Sequence, residues 1–444
     1  MKIFTSYRKK IKHYNHIFID TLRVYRAAVE FFISVCLNEW DQISLYKSAN
    51  SKMTCVERLT HSTKKRPVVK YEFSHADSGF YKFPSYLRRA AINEAVGKVS
   101  SYRSNLKNWE EDPAGQKPGK PKAGFVFPCM YKGNMYQETS AYQARIKVFT
   151  RNTWDWIDIK LRKSDVDYIQ RHCSHRKECA PTLQKRGKEW FLDFPFEEQV
   201  TLNNTPSKEQ VIAAVDLGIN SAATVSVMRA DGTVLGRHFC RFPREKDSLT
   251  HAVNRIKKAQ QHGARKMPRL WARANGINDE IAVKTARFII EVAVLYNADV
   301  IVFEHLDLKG RKRGSKKQRL HLWKARRVQS IVTDQAHRLG IRVSHVNAWN
   351  TSRLAFDGSG RVLRGRQSEK TGGSYSVCEF QNGKVYNCDL NATYNIGARY
   401  FIRTLLKSLP ATERLAVEAK VPSCAKRSTC TLSTLTSLYA VLAA

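Results

Sequence analysis

The chain opens with apolar residues at helix period. Ile17, Leu22, Val24, Tyr25, Val29, Phe32, Ile33 and Val35 form a broad apolar face that predicts a helix over residues 14–40. A polar, Lys-rich stretch follows over 47–70. A second helix is predicted over 84–109, entered at Pro84 and stopped by Asp112-Pro113-Ala114-Gly115. Residues 115–124 are a linker by composition. Beyond it the period falls to two. Residues 144–148, 156–161, 181–184 and 190–196 alternate as strands, the last two as a hairpin across Lys185-Arg186-Gly187-Lys188. This part predicts a small β-barrel or sandwich, with the helical segment before residue 115 inserted or appended.

From Glu209 the pattern is α/β. The apolar run 211–216 predicts a buried strand, and 222–228 and 234–240 pair with it through the turn Ala230-Asp231-Gly232. A basic helix is expected over 248–266, followed by an amphipathic helix marked by Ile277, Ile281, Phe288, Ile289, Val292 and Tyr296. Strand 300–303, helix 320–339, strand 341–346 and a last helix over 389–407 complete the series. Three antiparallel strands, helix, strand, helix, strand, helix is the RNase H-like order. The expected fold class is therefore α+β multidomain, an N-terminal β-barrel with a helical insert before a C-terminal RNase H-like α/β domain.

Composition narrows the function. Of 444 residues, 42% are apolar, enough for the cores of two or three domains. Lys and Arg number 76 against 39 acids, a net charge of +37 spread along the whole chain. Such a field serves no enzyme of small neutral metabolites; it serves a polyanion binder. The bland alternative is a ribosome-associated or merely very soluble protein. The ten Cys have no disulfide-type spacing, the N-terminus lacks a signal-peptide pattern, and no run of about 18 apolar residues occurs. The expected location is the cytoplasm of a prokaryotic cell, at the nucleoid.

Three acidic positions carry the candidate chemistry. The strands 211–216 and 300–304 end on Asp216 and Glu304, and Asp389 opens the last helix. A buried strand that finishes on an unpaired carboxylate is costly. In the RNase H-like order the first strand, the fourth strand and the last helix meet at one edge, so the three carboxylates are expected to share a site. Oxygen ligands of this kind suit two Mg²⁺ or Mn²⁺ ions, which together hydrolyse a phosphodiester. Taken singly, each acid is more often structural; it is the three together that point to a site.

Candidate nucleic-acid contacts lie on two basic stretches. The helix over 84–109 carries Arg88, Arg89, Lys98, Arg103 and Lys107 on its expected exposed face, with Tyr86, Asn93, Ser101 and Tyr102 between them; Tyr86, Arg89 and Asn93 are the contacts expected there. Residues 250–277 hold seven Lys or Arg and no acid, and Arg255, Lys258, Arg265, Arg269 and Arg273 form the second set. Residues 309–327 hold ten basic residues and no acid, with Gly310 and Gly314, and read as a mobile lid after Glu304. The competing reading of each stretch is a solvated charged surface. His172, Cys173, His175 and Cys179 lack the spacing of a zinc knuckle.

The motifs VDLGIN, VFEHLDL and CDLNATYNIGARY, with GIRVSHVNAWNTS ahead of the last, resemble the RuvC domain of TnpB, the transposon-encoded RNA-guided nuclease, and of the type V CRISPR effectors. The resemblance spans roughly residues 209–405, and the upstream layout is similar to the family's wedge and recognition domains. It implies a wedge-like barrel over 1–13 and 124–207 and a helical recognition domain over 14–123. It further implies a RuvC domain over 208–350, with a bridge-type helix over 248–273 and the lid over 309–327. A target-loading hairpin over 351–388, the last helix over 389–409 and a tail over 410–444 complete that plan. It also implies Asp216, Glu304 and Asp389 as metal ligands, Asn391 as their support, a guide RNA, and target double-stranded DNA beside a short duplex motif, bound by a monomer or homodimer.

The chain departs from the family at the zinc ligands that normally precede the third acid. TSRLAFDGSG has Ala355 and Gly358 where the first Cys pair would sit. CEFQNGKVYNCDLNA keeps only Cys378, with Gln381 or Asn382 in place of its mate, and Cys388 is out of register. No structural zinc is expected, but a β-hairpin of 374–380 and 384–387 turning at Asn382-Gly383. The leading expectation is an RNA-guided DNA endonuclease. The alternatives are a nuclease-inactive guided repressor and an unguided RNase H-like resolvase or transposase.

Overall fold

The computed structural model describes all residues except 14–15, 74–78, 81, 112–116, 220, 307–322, 426–427 and 444. Lys2–Glu198 form one compact unit; Met1 and Gln199–Ala444 form another.

In the unit Lys2–Glu198 the chain runs β1 (Lys2–Lys10), α1 (Ile17–Asn38), α2 (Trp40–Ser44), α3 (Ala49–Thr60), α4 (Ser85–Glu111), β2 (Tyr136–Ser140), β3 (Gln143–Thr150), β4 (Thr153–Lys160), α5 (Lys163–Cys173), β5 (Lys177–Glu178), β6 (Thr182–Arg186) and β7 (Glu189–Gln199). The apolar face of α1 packs on α4, burying Leu22, Tyr25, Val29 and Phe32 against Leu87, Ala91, Ile92 and Val99. Helix α3 lies inside the stretch whose Lys content suggested no element. Ser48 caps it by accepting from the Ser51 amide (3.0 Å), and Cys55, Val56 and Thr60 give it a buried face. The strands alternate as expected: Ala144, Ile146 and Val148 of β3 are buried.

The strands do not close into a barrel. One sheet has the order β1-β7-β5 with β6 also on β7, and the other has the order β2-β3-β4. They meet at an isolated bridge between Ile11 and Leu161. Directly after Leu161 the chain turns into α5, and the Asp165 side chain accepts the Lys10 amide at 2.9 Å. A side chain thus takes a backbone donor that a longer ladder would have used.

In the unit Gln199–Ala444 the order is β8 (Val211–Asp216), β9 (Ala223–Arg229), β10 (Val234–Cys240), α6 (Pro243–Gln261), α7 (Pro268–Leu295), β11 (Val300–His305), α8 (Ala325–Arg338), β12 (Arg342–Asn347), β13 (Leu363–Arg364), β14 (Val377–Glu379), β15 (Val385–Asn387), α9 (Cys388–Ser408), α10 (Ala411–Lys420) and α11 (Leu432–Ala443). Five strands form a sheet in the order β10-β9-β8-β11-β12. The β8–β9 and β9–β10 pairs are antiparallel; β8–β11 and β11–β12 are parallel. The succession of three antiparallel strands and then two strands separated by helices is the one read from the hydrophobic pattern. Ile212, Ala214, Val300 and Val302 pack in one cluster with α9, while Ala213, Val215, Ile301 and Phe303 pack in another with α7 and α8. Both central strands are therefore covered on two faces, which is why they read as continuous apolar runs.

The basic helix expected over 248–266 is α6, but the bridge-type helix expected over 248–273 is broken between two helices. Helix α6 ends at Gln261, Gly263 takes φ +81°, and α7 restarts at Pro268 in its first turn. Ala252, Val253 and Ile256 pack against Ala274. Arg255 and Lys258 lie on α6, Arg265 in the connection, and Arg269 and Arg273 on α7, all exposed. Most of the expected lid over 309–327 lies outside the described residues. The tail forms α10 and α11, and α11 packs on α9. No helix among the described residues is long and apolar enough to cross a membrane.

Helix α9 approaches the sheet closely. A Cβ at Gly397 would stand 2.6 Å from the Met228 sulfur and 3.3 Å from Ala214 Cβ. Gly397→Val is expected to destabilise by about 1–3 kcal/mol in urea unfolding, with part of the loss recovered in the double variant with Met228→Ala. Equal stability of Gly397→Val and wild type would show that the helix stands off.

Candidate active site

The pairing of β8 with β11 puts Val215 beside Phe303, so Asp216 and Glu304 follow at the same end of neighbouring parallel strands, about 4.8 Å apart strand to strand. Asp389 lies in the first turn of α9. The Asn387 side chain caps that helix, accepting from the amides of Asp389 and Leu390 at 3.0 Å each. All three acids keep part of their surface exposed.

Burial pushes the Asp216 carboxyl well above the usual range, and the charges of Glu304 and Asp389 push it further, with Arg364 acting the other way. Burial also raises Glu304, which Thr351 Oγ1 and the Arg399 charge oppose. Thr351 donates its hydroxyl to Glu304 Oε1. The sequence-predicted trio is thus close enough to interact electrostatically. Among the described residues, however, no three His, Cys, Asp or Glu side chains stand close enough to hold one metal ion as they are.

Asn391 supports the site indirectly. Its amide donates to the Leu354 carbonyl and accepts from the Phe356 amide, each at 2.8 Å. Asn395 donates to the carbonyls of Thr351 and Leu354 at 2.9 Å. Arg399, 5% exposed, donates to the carbonyls of Asn347 and Trp349 at 2.7 Å, and to those of Ser428 at 2.9 Å and Cys430 at 3.2 Å. Sequence reasoning missed Thr351, Asn395 and Arg399. A signal existed: Asn391, Asn395 and Arg399 recur at four-residue spacing on an otherwise apolar helix, which puts them on one face.

The expected hairpin forms from β14 and β15, with Gly383 at φ +82° and the Phe380 amide donating to the Lys384 carbonyl at 2.8 Å. It is held by a small apolar cluster of Ala355, Val362, Cys378, Phe380 and Cys388. The Cys378 and Cys388 thiols are hydrogen-bonded to one another, which with burial pushes Cys388 up.

The first unit holds the remaining candidates. Tyr86 is 45% exposed, with its ring against Tyr131, and Asn93 is exposed. Arg89 pairs with Glu57 at 3.2 Å. Arg88, expected on the exposed face, is 8% exposed and pairs with the same carboxylate at 3.3 Å. Arg103 donates to the Leu37 carbonyl at 3.2 Å. Those two cations hold helices together.

Two outcomes are expected. Folding raises Asp216 above its unfolded pKa of about 3.9, so ionised Asp216 costs stability. That cost is absent below the unfolded value, grows as pH rises through it, and is complete above the folded value. Asp216→Asn is therefore expected to melt a few degrees above wild type at pH 7.5 in EDTA, with the gap closing toward pH 4; Mg²⁺ is expected to raise the midpoint of the wild type only. A variant that melts lower in EDTA refutes this. Elemental analysis is expected to find no zinc retained at the hairpin, and one zinc per chain surviving dialysis refutes that.

A family model described as the Aq_aa04 family matches residues 5–150. The chain is 26% identical over 238 residues to a TnpB-like protein, aq_aa05, of Aquifex aeolicus strain VF5, covering 48% of this chain and 74% of that one. It is 29% identical over 135 residues to the uncharacterized protein aq_aa04 of the same organism, covering 30% and 69%. A solved Cas12f1 chain, in a cryo-EM structure of a Cas12f1-sgRNA-target DNA complex, is 13% identical with a TM-score of 0.34 over 89% of this chain and 98% of that one. In its three acidic motifs and in its TnpB-like relative, the chain is similar to the TnpB and type V CRISPR effector family.

Proposed function

We propose that the protein is an RNA-guided DNA endonuclease that hydrolyses phosphodiesters at one RuvC-type, RNase H-like site. The observation that carries this reading is that Asp216 and Glu304 end neighbouring parallel strands at one end of the sheet, with Asp389 near enough for both acids to act on the buried Asp216 carboxyl. An all-carboxylate set has the oxygen chemistry of a Mg²⁺ or Mn²⁺ site. Asp216, Glu304 and Asp389 would hold the ions. A bound pair of ions supplies an activated water and stabilises the leaving oxygen. The chain's own residues do the rest. Thr351 fixes one Glu304 oxygen, Asn387 fixes the helix turn that carries Asp389, and Asn391 and Asn395 fix the loop that carries Thr351.

The guide RNA comes from the family resemblance, and the +37 charge agrees with two polyanionic partners. In this reading Lys2–Glu198 supplies the wedge and recognition functions, with Tyr86, Arg89 and Asn93 toward DNA. The exposed cations of α6 and α7 follow the backbone of an RNA–DNA heteroduplex.

Sequencing RNA that co-purifies with the expressed chain is expected to return one defined species or a split pair; its absence favours the unguided resolvase or transposase. Loaded with that RNA, the protein is expected to cut a matching duplex with Mg²⁺. Asp216→Ala and Glu304→Ala are expected to fall to background while still binding the duplex. Binding without cutting by the wild type identifies the repressor reading, and retained cutting in Asp216→Ala refutes the site.

A further inference from the structure

The C-terminal segment builds a cleft that none of the functions above uses. It has a volume of about 880 Å³ and lies between the end of β12, α9, α10 and the residues near Cys424. This is within the range of sites that receive a ligand. His305, the residue after Glu304, is part of its lining. The lining contains Arg399, Arg403, Lys407 and Arg414 against the single carboxylate Glu418.

Trp349 stands in this lining with its indole 67% exposed. Its backbone is fixed on both sides. The amide donates to Asn347 Oδ1 at 2.8 Å, the carbonyl accepts from Arg399 at 2.7 Å, and Asn350 follows in the left-handed region at φ +64°. A pinned backbone under a solvent-facing indole is a ring presented rather than packed. Arg403 donates to the His345 carbonyl (2.8 Å) and Ser344 Oγ (2.6 Å), so its guanidinium is held at the wall, and Lys407 is exposed one turn further along α9.

An aromatic face beside fixed cations fits an unpaired base and its flanking phosphates. A duplex has no free base face to offer, so the occupant is single-stranded. We infer that this cleft binds single-stranded DNA, with one base on Trp349 and the adjoining phosphates on Arg403 and Lys407, as the strand passing Glu304. The choice of DNA rests on the nuclease reading, in which a strand held beside His305, the residue after Glu304, leads to that site.

The test uses the full chain in EDTA, so that no cutting intervenes, with fluorescein-labelled oligothymidylate followed by anisotropy. Trp349→Ala is expected to weaken binding about tenfold, the loss of one stacked base, and Trp349→Tyr to restore most of it. Lys407→Ala is expected to lower the slope of log affinity against log salt by about one. A strand carrying 5-iododeoxyuridine is expected to crosslink to the peptide containing Trp349. Unchanged affinity in Trp349→Ala at an unchanged melting midpoint, or crosslinks only to other peptides, overturns the proposal. An oligouridylate that loses affinity where oligothymidylate does not overturns the assignment to DNA. If the wild type cuts nothing but Trp349→Ala still weakens binding, the nuclease reading falls and the cleft stands. If cutting is intact and Trp349→Ala binds as wild type does, the cleft falls alone.

Discussion

Taking like charges out of water at the end of a sheet is the constraint on which the Gln199–Ala444 unit depends. Asp216 and Glu304 end adjacent parallel strands, and burial, with the charges of Glu304 and Asp389, raises Asp216. Holding them there requires both strands to be covered on two faces, which the helices on each side of the sheet provide. It also requires α9 to come close, and the missing side chain at Gly397 permits that against Met228 and Ala214. Destabilised carboxylates of this kind are kept where a cation or a reaction repays them.

Helix α9 is the element that converts this packing into a site. Nearly all of its side chains are buried, yet one face carries Asn391, Asn395 and Arg399, each satisfied by backbone groups of the 347–356 loop or the 428–430 stretch. Buried polar groups held this fully fix a single arrangement, because losing any partner leaves a group unsatisfied in low dielectric. The same three side chains position Thr351 under Glu304 and hold the Trp349 carbonyl at the mouth of the cleft. Candidate carboxylate, supporting loop and C-terminal segment therefore answer to one helix face.

Charge is distributed unequally between surface and structure. The cations of α6 and α7 at 255, 258, 265, 269 and 273 are exposed. By contrast Arg88 and Arg103 on α4, and Arg399 on α9, are engaged within their own units by carboxylate or carbonyl groups. A count of Lys and Arg therefore overstates the surface open to nucleic acid. It reports the field of the molecule, while the residues able to touch a phosphate are a smaller set.

The periodicity of the sequence determined the five strands and the succession of strands and helices, because apolar runs and their helical crossovers report local geometry that neighbours do not overturn. It located Asp216 and Glu304 for the same reason: a lone acid at the end of an apolar run stands out. The hairpin turn at Asn382-Gly383 was equally legible, since left-handed backbone favours those residue types. The tertiary structure alone decided that the N-terminal sheets stay open, because that turns on one side chain, Asp165, taking the Lys10 amide across 155 positions of sequence. It also decided that the basic ridge is a pair of helices, that Arg88 is a strut, and that Trp349 is presented on a fixed turn. Each of those outcomes depends on which distant group occupies a donor, a carbonyl or a face, and a linear pattern carries no record of that choice.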